Sequence, residues 1–383
     1  MKKERSNTIS NMNRAALPVN LQIETTNYCN ARCIMCSHCF SNNHNSKNIG
    51  ADVLNNMTDA LLMSETISLN GVGEPFITPG ISELIDFYVS YNNKIIATTN
   101  LSVLNDTLVA QIRNHFVLLQ ISCDGATKET YESIRIGLSF DTFLKNLSLL
   151  KDKAPNVEKC FSTVIMRQNV QEMADIVYLA YKNNVKSVYF MPLIPNKAIG
   201  NEADSLSYYP LVLDYFSMKA VKRGEELNVK VSVPNKNGLN RLLSYDDIRE
   251  SLNEMQRADA EHKKVPEENE MRKRALSIMK HHGGFEDAIE KALAPSDKRC
   301  KGVCEWAVKR SYIDVEGNVS MCCRNPSIIM GNIKIDGCFS HVWNSVRFRH
   351  FREVFDSGFF PNACLGCGYI KNGLSECVSI EEP

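Results

Sequence analysis

The 383-residue chain carries 44 basic and 44 acidic residues, so its formal charge is zero and its balance selects neither for nucleic acid nor for an anionic membrane. Its charged N-terminus lacks an apolar run, and no segment approaches the roughly 18 consecutive apolar residues of a membrane span, which predicts a cytoplasmic protein without a signal peptide. Fourteen cysteines fall into two groups, at 29–39 and 300–377, with only Cys123 and Cys160 between; in a reducing compartment such grouping argues metal rather than disulfides.

Residues 1–17 read as a flexible polar leader. Strands are then predicted at 20–26, 66–70, 94–99, 117–122, 160–167 and 186–191, separated by amphipathic stretches near 51–63, 79–92, 105–115, 140–153 and 169–184. Regular alternation of this kind argues a parallel sheet with helices outside it, with too few units for a closed eight-stranded barrel. In the first strand Gln22, Glu24 and Thr26 share a face, which makes Glu24 either a substrate contact or a structural hydrogen-bonding group at the barrel mouth. Directly after it come Cys29, Cys33 and Cys36. Three thiolates in eight residues can ligate three corners of a [4Fe-4S] cluster and leave one iron open, whereas a zinc site would recruit a fourth ligand such as His38 or Cys39.

The ends of the later strands carry further candidates, because the chemistry of parallel barrels collects where strands give way to loops. Strand two runs into Gly71-Val72-Gly73-Glu74-Pro75, where glycine lets the backbone approach a ligand and Glu74 adds a charge. Strand three ends Thr98-Thr99-Asn100. Strand four places Ser122 and Asp124 on one face, with Cys123 turned the other way as packing. Arg135 follows, as a ligand contact or a solvated helix residue, and strand six ends at Met191 and Pro192.

A helix at 208–223 and a short strand at 229–234 complete the first unit, 18–235. Residues 236–295 read as charged helices with scattered apolar positions, a solvated insertion that can also serve as a lid or a partner surface. The last unit, 296–383, contains a hairpin of 312–314 against 318–320 turned by Glu316-Gly317, which delivers Cys322. Cys304, Cys322, Cys364 and Cys367 suffice for one [4Fe-4S] cluster ligated wholly by protein, or for a zinc ribbon. Cys300, Cys323, Cys338 and Cys377 are left over; Cys300 and Cys377 are candidates for a second cluster, and Cys323 or Cys377 for a spare thiol that donates a hydrogen atom.

The Cys-x3-Cys-x2-Cys triplet after a first strand, followed by Gly71–Pro75 after the second, resembles the radical S-adenosylmethionine (SAM) superfamily. Cys304-x12-Gly317-x4-Cys322 with a later Cys-x2-Cys is similar to that superfamily's auxiliary domain, called SPASM or, when shortened, twitch; the full pattern is broken at Gly373. The resemblance implies an open (β/α)6 partial barrel in which SAM completes the coordination of the open iron. One electron then cleaves SAM to methionine and a 5′-deoxyadenosyl radical that abstracts hydrogen from substrate. It also implies that Gly71, Gly73, Glu74 and Pro75 seat SAM, that Ser122 and Arg135 contact its ribose or carboxylate with Asp124 and Asn100 nearby, and that Met191 lies against the adenine. Val72 stands where the family has glycine, and Leu101 where it usually has the glycine of Thr-Asn-Gly. A flavodoxin- or ferredoxin-type reductant is implied, and the auxiliary cluster would pass an electron. For substrate, the short leader favours a small polar molecule such as a sugar or aminocyclitol, oxidised or epimerised. The alternatives are a peptide or protein side chain and, from another class, a non-catalytic zinc-binding module.

Overall fold

In the computed structural model the described residues are 16–36, 46–195, 200–234, 243–262, 285–300, 303–365, 367 and 377–378. Period-two alternation produces the strands. Leu21 and Ile23 are fully buried in β1 (Asn20–Ile23), Ile67 and Leu69 in β2 (Thr66–Leu69), Ile95 and Ala97 in β3 (Lys94–Thr99), and Leu119 and Ile121 in β4 (Phe116–Ser122). The register sets them side by side, Leu21 opposite Ile67 and Ile67 opposite Ile95. With β5 (Glu158–Ile165) and β6 (Ser187–Pro192) they form a parallel core whose spatial order is the chain order. Each buried Leu or Ile contributes about 1.5–3 kcal/mol, so slipping one strand by a residue would turn its apolar set to the wrong face.

Seven helices alternate with these strands: α1 (Ala51–Asn55), α2 (Thr58–Met63), α3 (Ile81–Ser90), α4 (Asp106–His115), α5 (Lys128–Ile134), α6 (Phe140–Lys153) and α7 (Met173–Lys182). Three starts are written in the sequence as caps: the side chains of Asn105, Thr127 and Ser139 accept from the backbone N–H groups of Leu108, Thr130 and Thr142. The helices bury Ile85, Leu108, Ile112, Phe143, Leu147 and Ile176 in the same core as the apolar strand residues. Gln22, Ser68, Thr98 and Gln120 occupy the opposite face of the sheet and are only half-buried. A polar, half-buried face is what an open barrel presents to substrate.

The sheet continues past both ends of this core. On one side β7 (Lys230–Ser232) pairs parallel to β6. On the other, β8 (Arg310–Ile313) pairs parallel to β1, and β9 (Asn318–Ser320) and β10 (Ile329–Asn332) follow antiparallel. The expected hairpin forms in its expected register, Tyr312 opposite Ser320, with Gly317 at φ +81° in the turn. It extends the barrel sheet, although more than 280 residues of chain separate it from β1.

Where the structure describes the charged helical insertion, part of it packs on the barrel. After α8 (Pro210–Leu227), helix α9 (Tyr245–His262) buries Ile248, Leu252 and Met255, an i, i+4, i+7 stripe packed on α8. Arg167, just beyond β5, donates to the carbonyls of Ala203 (2.7 Å) and Met255 (2.8 Å), fastening α9 to the barrel. The apolar positions Leu242, Met271, Leu276 and Met279 lie outside the described residues. Helix α10 (Phe285–Leu293) buries Ile289 and Leu293, and its following Ala294 accepts from Asn362 N–H beside Cys364. Beyond it, α11 (Glu305–Val308), α12 (Phe339–Trp343) and α13 (Val346–Asp356) are joined by the buried Arg352, which donates to the carbonyls of Ala307 and Trp343 and lies 4.4 Å over the Trp343 ring. Among the described residues no helix is long and apolar enough to cross a membrane.

Candidate active site

The cysteine loop is pinned from three directions. Asn30, inside the triplet, donates to Ser102 Oγ (2.9 Å) and accepts from Asn100 Nδ2 (3.0 Å), both on the loop after β3. Arg32 and Cys33 pair antiparallel with Arg135 and Ile136, and Ile34 N–H donates to Ile134 O. Met35 packs with the apolar patch of Ile134, Met166 and Leu193. Cys36 N–H closes a turn onto Cys33 O (3.0 Å). His38 and Cys39, the candidate fourth zinc ligands, lie outside the described residues.

Burial raises the pKa of the Cys29 thiol and pushes that of Cys33 up to about 11, with Arg135 partly offsetting the second. As free groups these are neutral thiols, and a metal takes their protons' place on binding. Among the described residues no three His, Cys, Asp or Glu side chains are gathered tightly enough to hold a single metal ion. A lone zinc would draw its sulfurs in with bonds of about 2.3 Å. Three thiols on one loop supply three corners of a [4Fe-4S] cubane and leave one iron open.

Arg135 is buried, not solvated. Its guanidinium lies 2.6 Å from Asp124 Oδ2 and 3.9 Å from Cys33 Sγ, while Asp124 Oδ1 accepts from Val164 N–H at 2.7 Å. Burial works against the charge on Arg135, yet Asp124 and Cys33 beside it hold its pKa above the ordinary value. The same burial raises the pKa of Asp124 and the guanidinium opposes it. Ser122, half-buried, ends β4 next to this pair, and Cys123 points away with its thiol on Gly125 O, as packing.

The loop after β2 lies directly on the chain that leads into Cys29. A Cβ on Gly73 would overlap the carbonyl oxygens of Thr26 and Tyr28, and one on Gly71 would overlap the Glu24 side chain, so both positions require glycine. Glu74 N–H donates to Tyr28 O at 2.9 Å. The buried Glu74 carboxylate accepts from Thr99 Oγ1 (2.6 Å), Asn100 N–H (2.7 Å) and Phe76 N–H (3.2 Å), the last opening a 3-10 turn that starts at Pro75. Its first task is therefore to join the ends of β2 and β3, and Oε2 keeps a lone pair for one further donor. Leu101, the family's glycine position, adopts φ +57° and is fully buried. Val72 donates its N–H to Glu24 Oε2 (2.6 Å), an oxygen that also accepts from Tyr312 OH (3.1 Å). Glu24 thus makes hydrogen bonds within the protein at the mouth of the barrel. Met191, 41% exposed, stands opposite Val164 in the register of β5 and β6, on the face shared by Tyr189 and Ser162.

In the C-terminal part, Cys304 begins α11, Cys322 follows β9, and Cys364 and Cys367 share a turn closed by Cys367 N–H on Cys364 O (3.0 Å). Burial raises the Cys364 pKa, and the charges of Cys322, Cys304, Cys367 and then Cys300 push it further. Cys300 Sγ lies 3.4 Å from Phe359 O. Cys377 pairs by backbone with Cys304. Cys323 is pushed up to about 11 by burial, against Arg324 and Arg310. Cys338 is elsewhere, at the start of α12 and 3.2 Å from Ser340 Oγ. Asn30, Thr99 and Tyr312 are site residues the sequence pattern does not single out, since their partners are distant in the chain.

The Radical SAM superfamily model matches residues 23–180, and the SPASM model, an iron-sulfur cluster-binding domain, matches 304–368. Mycofactocin maturase MftC of Mycolicibacterium smegmatis is 23% identical over 369 residues, covering 94% of this chain and 78% of that protein. The protein of the same name from Mycobacterium ulcerans is 29% identical over 167 residues, 43% of this chain and 44% of that one. Among solved structures, Streptococcus suis SuiB bound to the precursor peptide SuiA aligns with a TM-score of 0.55 at 14% identity, covering 90% of this chain and 68% of that one. Native anSMEcpe with bound AdoMet aligns at 0.56 and 17% identity, covering 87% and 82%. These two likenesses show the fold. The chain carries a radical SAM domain and a C-terminal SPASM domain, the make-up of a radical SAM enzyme whose cofactors are SAM and [4Fe-4S] clusters.

Proposed function

We propose that this enzyme matures a peptide, acting on a C–H bond of a peptide residue rather than on a sugar or aminocyclitol. The observation that carries this reading is the similarity to a mycofactocin maturase along 94% of the chain, through both units. It displaces the small-molecule expectation, which rested on the brevity of the leader.

Cys29, Cys33 and Cys36 would hold the catalytic cluster, and Cys304, Cys322, Cys364 and Cys367 the auxiliary one. SAM bound at the first cluster supplies, on one-electron reduction, a hydrogen-abstracting radical. The chain's own residues confine that chemistry. Gly71 and Gly73 bring the loop backbone close, Glu74 holds the ends of β2 and β3 together, and the Asp124–Arg135 pair fixes a positive charge beside Cys33. Gln22, Thr98, Gln120, Tyr189 and Met191 would offer uncharged contacts to a substrate on the polar face of the sheet. Cys323 is our candidate for returning a hydrogen atom, with Cys377 as the second; a flavodoxin- or ferredoxin-type protein would supply the electron.

The test is anaerobic reconstitution followed by incubation with SAM, reductant and a panel of deuterated peptides, sugars and aminocyclitols. Deuterium in 5′-deoxyadenosine from a peptide is the expected result. Label arriving only from a sugar or aminocyclitol would overturn the reading, as would a reconstituted protein that produced no 5′-deoxyadenosine at all.

A further inference from the structure

Glu24 and Tyr312 are both buried, 3% and 4% exposed, and they join the two ends of the protein. Tyr312 belongs to β8, opposite Gln22 in the register, and its hydroxyl reaches over to Glu24 just past the end of β1. The Glu24 oxygen that accepts this hydroxyl also accepts Val72 N–H, at 2.6 Å. The Glu24 side chain fills the space a Cβ on Gly71 would need, and Gly73 is pressed in turn on the carbonyls of Thr26 and Tyr28. Backbone follows the same route, since Glu24 N–H donates to Ile313 O. One line of contacts therefore runs from the auxiliary hairpin through a single carboxylate into the 71–74 loop and onto the residue before Cys29. The hairpin itself delivers Cys322, two residues beyond β9.

We propose that Glu24 and Tyr312 are positioning residues: through their hydrogen bond the SPASM hairpin sets the height of the 71–74 loop over the catalytic cysteines, so that an intact auxiliary domain is a condition for tight SAM binding. The inference rests on the reading of that loop as the seat of SAM. A buried carboxylate that loses one of two donors on the same oxygen is left short of solvation, and it recovers by shifting toward water or toward its remaining partners. The donors that remain are Val72 N–H in the loop and the backbone of Val315 in the hairpin turn, so the carboxylate shifts between them and the loop it supports shifts with it. Tyr312→Phe removes one hydroxyl while keeping the ring that fills the core, and Glu24→Gln removes the charge while keeping the shape.

The experiment uses the full chain, reconstituted anaerobically, as wild type, Tyr312→Phe, Glu24→Gln, the double variant and Gly73→Ala. Iron content, the dissociation constant for SAM and the change that SAM makes in the electron paramagnetic resonance signal of the reduced protein are measured for each. Tyr312→Phe is expected to keep its iron, to bind SAM about tenfold more weakly, and to show a weakened or altered SAM-induced signal. Turnover at saturating SAM falls less than the affinity does. The double variant is expected to bind no worse than the poorer single one, because both changes cut the same tie. Wild-type SAM affinity in Tyr312→Phe, or losses that multiply in the double variant, would overturn the proposal. If Gly73→Ala left SAM binding intact, it is the reading of the loop that would fail, separately from the tie.

Discussion

Leu101 sets a test of how much strain the loop after β3 stores. An L-residue in the left-handed region costs about 1–2 kcal/mol relative to its ordinary conformations, and Leu101 sits there at φ +57°. It is retained because its side chain is fully buried, and truncating a buried leucine to alanine costs about 2–5 kcal/mol, more than the strain. Its backbone is held as well: the N–H donates to Thr99 Oγ1 and the carbonyl accepts from Asn146 Nδ2, both at 2.9 Å. Leu101→Ala loses the side chain and keeps the strain, since a Cβ remains. Leu101→Gly also loses a further methyl, about 0.8 kcal/mol, and adds chain entropy in the unfolded state, about 0.4–1 kcal/mol, but gains back the strain of about 1–2 kcal/mol. These terms nearly cancel, so the two variants are expected to melt below wild type and within about a degree of each other. The reference is Ala97→Gly, two residues inside β3 at a fully buried position without strain, where the methyl and entropy terms add to about 1.2–1.8 kcal/mol. Calorimetric midpoints under identical anaerobic conditions give the comparison without assuming a two-state transition. If Leu101→Gly melted below Leu101→Ala by the interval that separates Ala97→Gly from wild type, the strain argument would be wrong.

Glu74→Gln offers one oxygen where the carboxylate offered two, leaving either Asn100 N–H or Phe76 N–H facing an amide donor. It is expected to cost about 1–3 kcal/mol and to weaken SAM binding together with the melting midpoint; a variant that matched wild type in both would refute the carboxylate's role in joining β2 to β3. Lys159 is buried in β5, its ammonium donating to Ala154 O and Val157 O, and burial with Lys186 nearby lowers its pKa to about 8. Between about pH 8 and the unfolded value near 10.4 the native state releases this proton first, so the unfolded state binds more protons and stability rises with pH across that window. The melting midpoint of wild type relative to Lys159→Met is therefore expected to climb from pH 8 to 10, and a flat difference would show that the lysine keeps its proton.

Several features follow from short-range pattern alone. Alternation in 20–23, 66–69 and 94–99 specifies strands with one apolar face, since side chains of a strand alternate whatever it pairs with. Asn105, Thr127 and Ser139 declare helix starts, because a cap bonds within its own first turn. The spacing of Cys29, Cys33 and Cys36 proposes a three-cornered metal site for a similar reason: all its candidate donors lie within eight residues. What only the tertiary structure decided are the partners reached across long loops. Nothing local says that Arg135 turns inward to Asp124 and Cys33 rather than out to solvent, that Glu74 spends its carboxylate on Thr99 and Asn100, or that α9 is docked through Arg167. Nor does the hairpin at 310–320 carry any mark that it will lie beside β1, since a strand edge offers the same backbone donors and acceptors to every other edge and selection comes from the side chains that happen to meet there, here Tyr312 and Glu24.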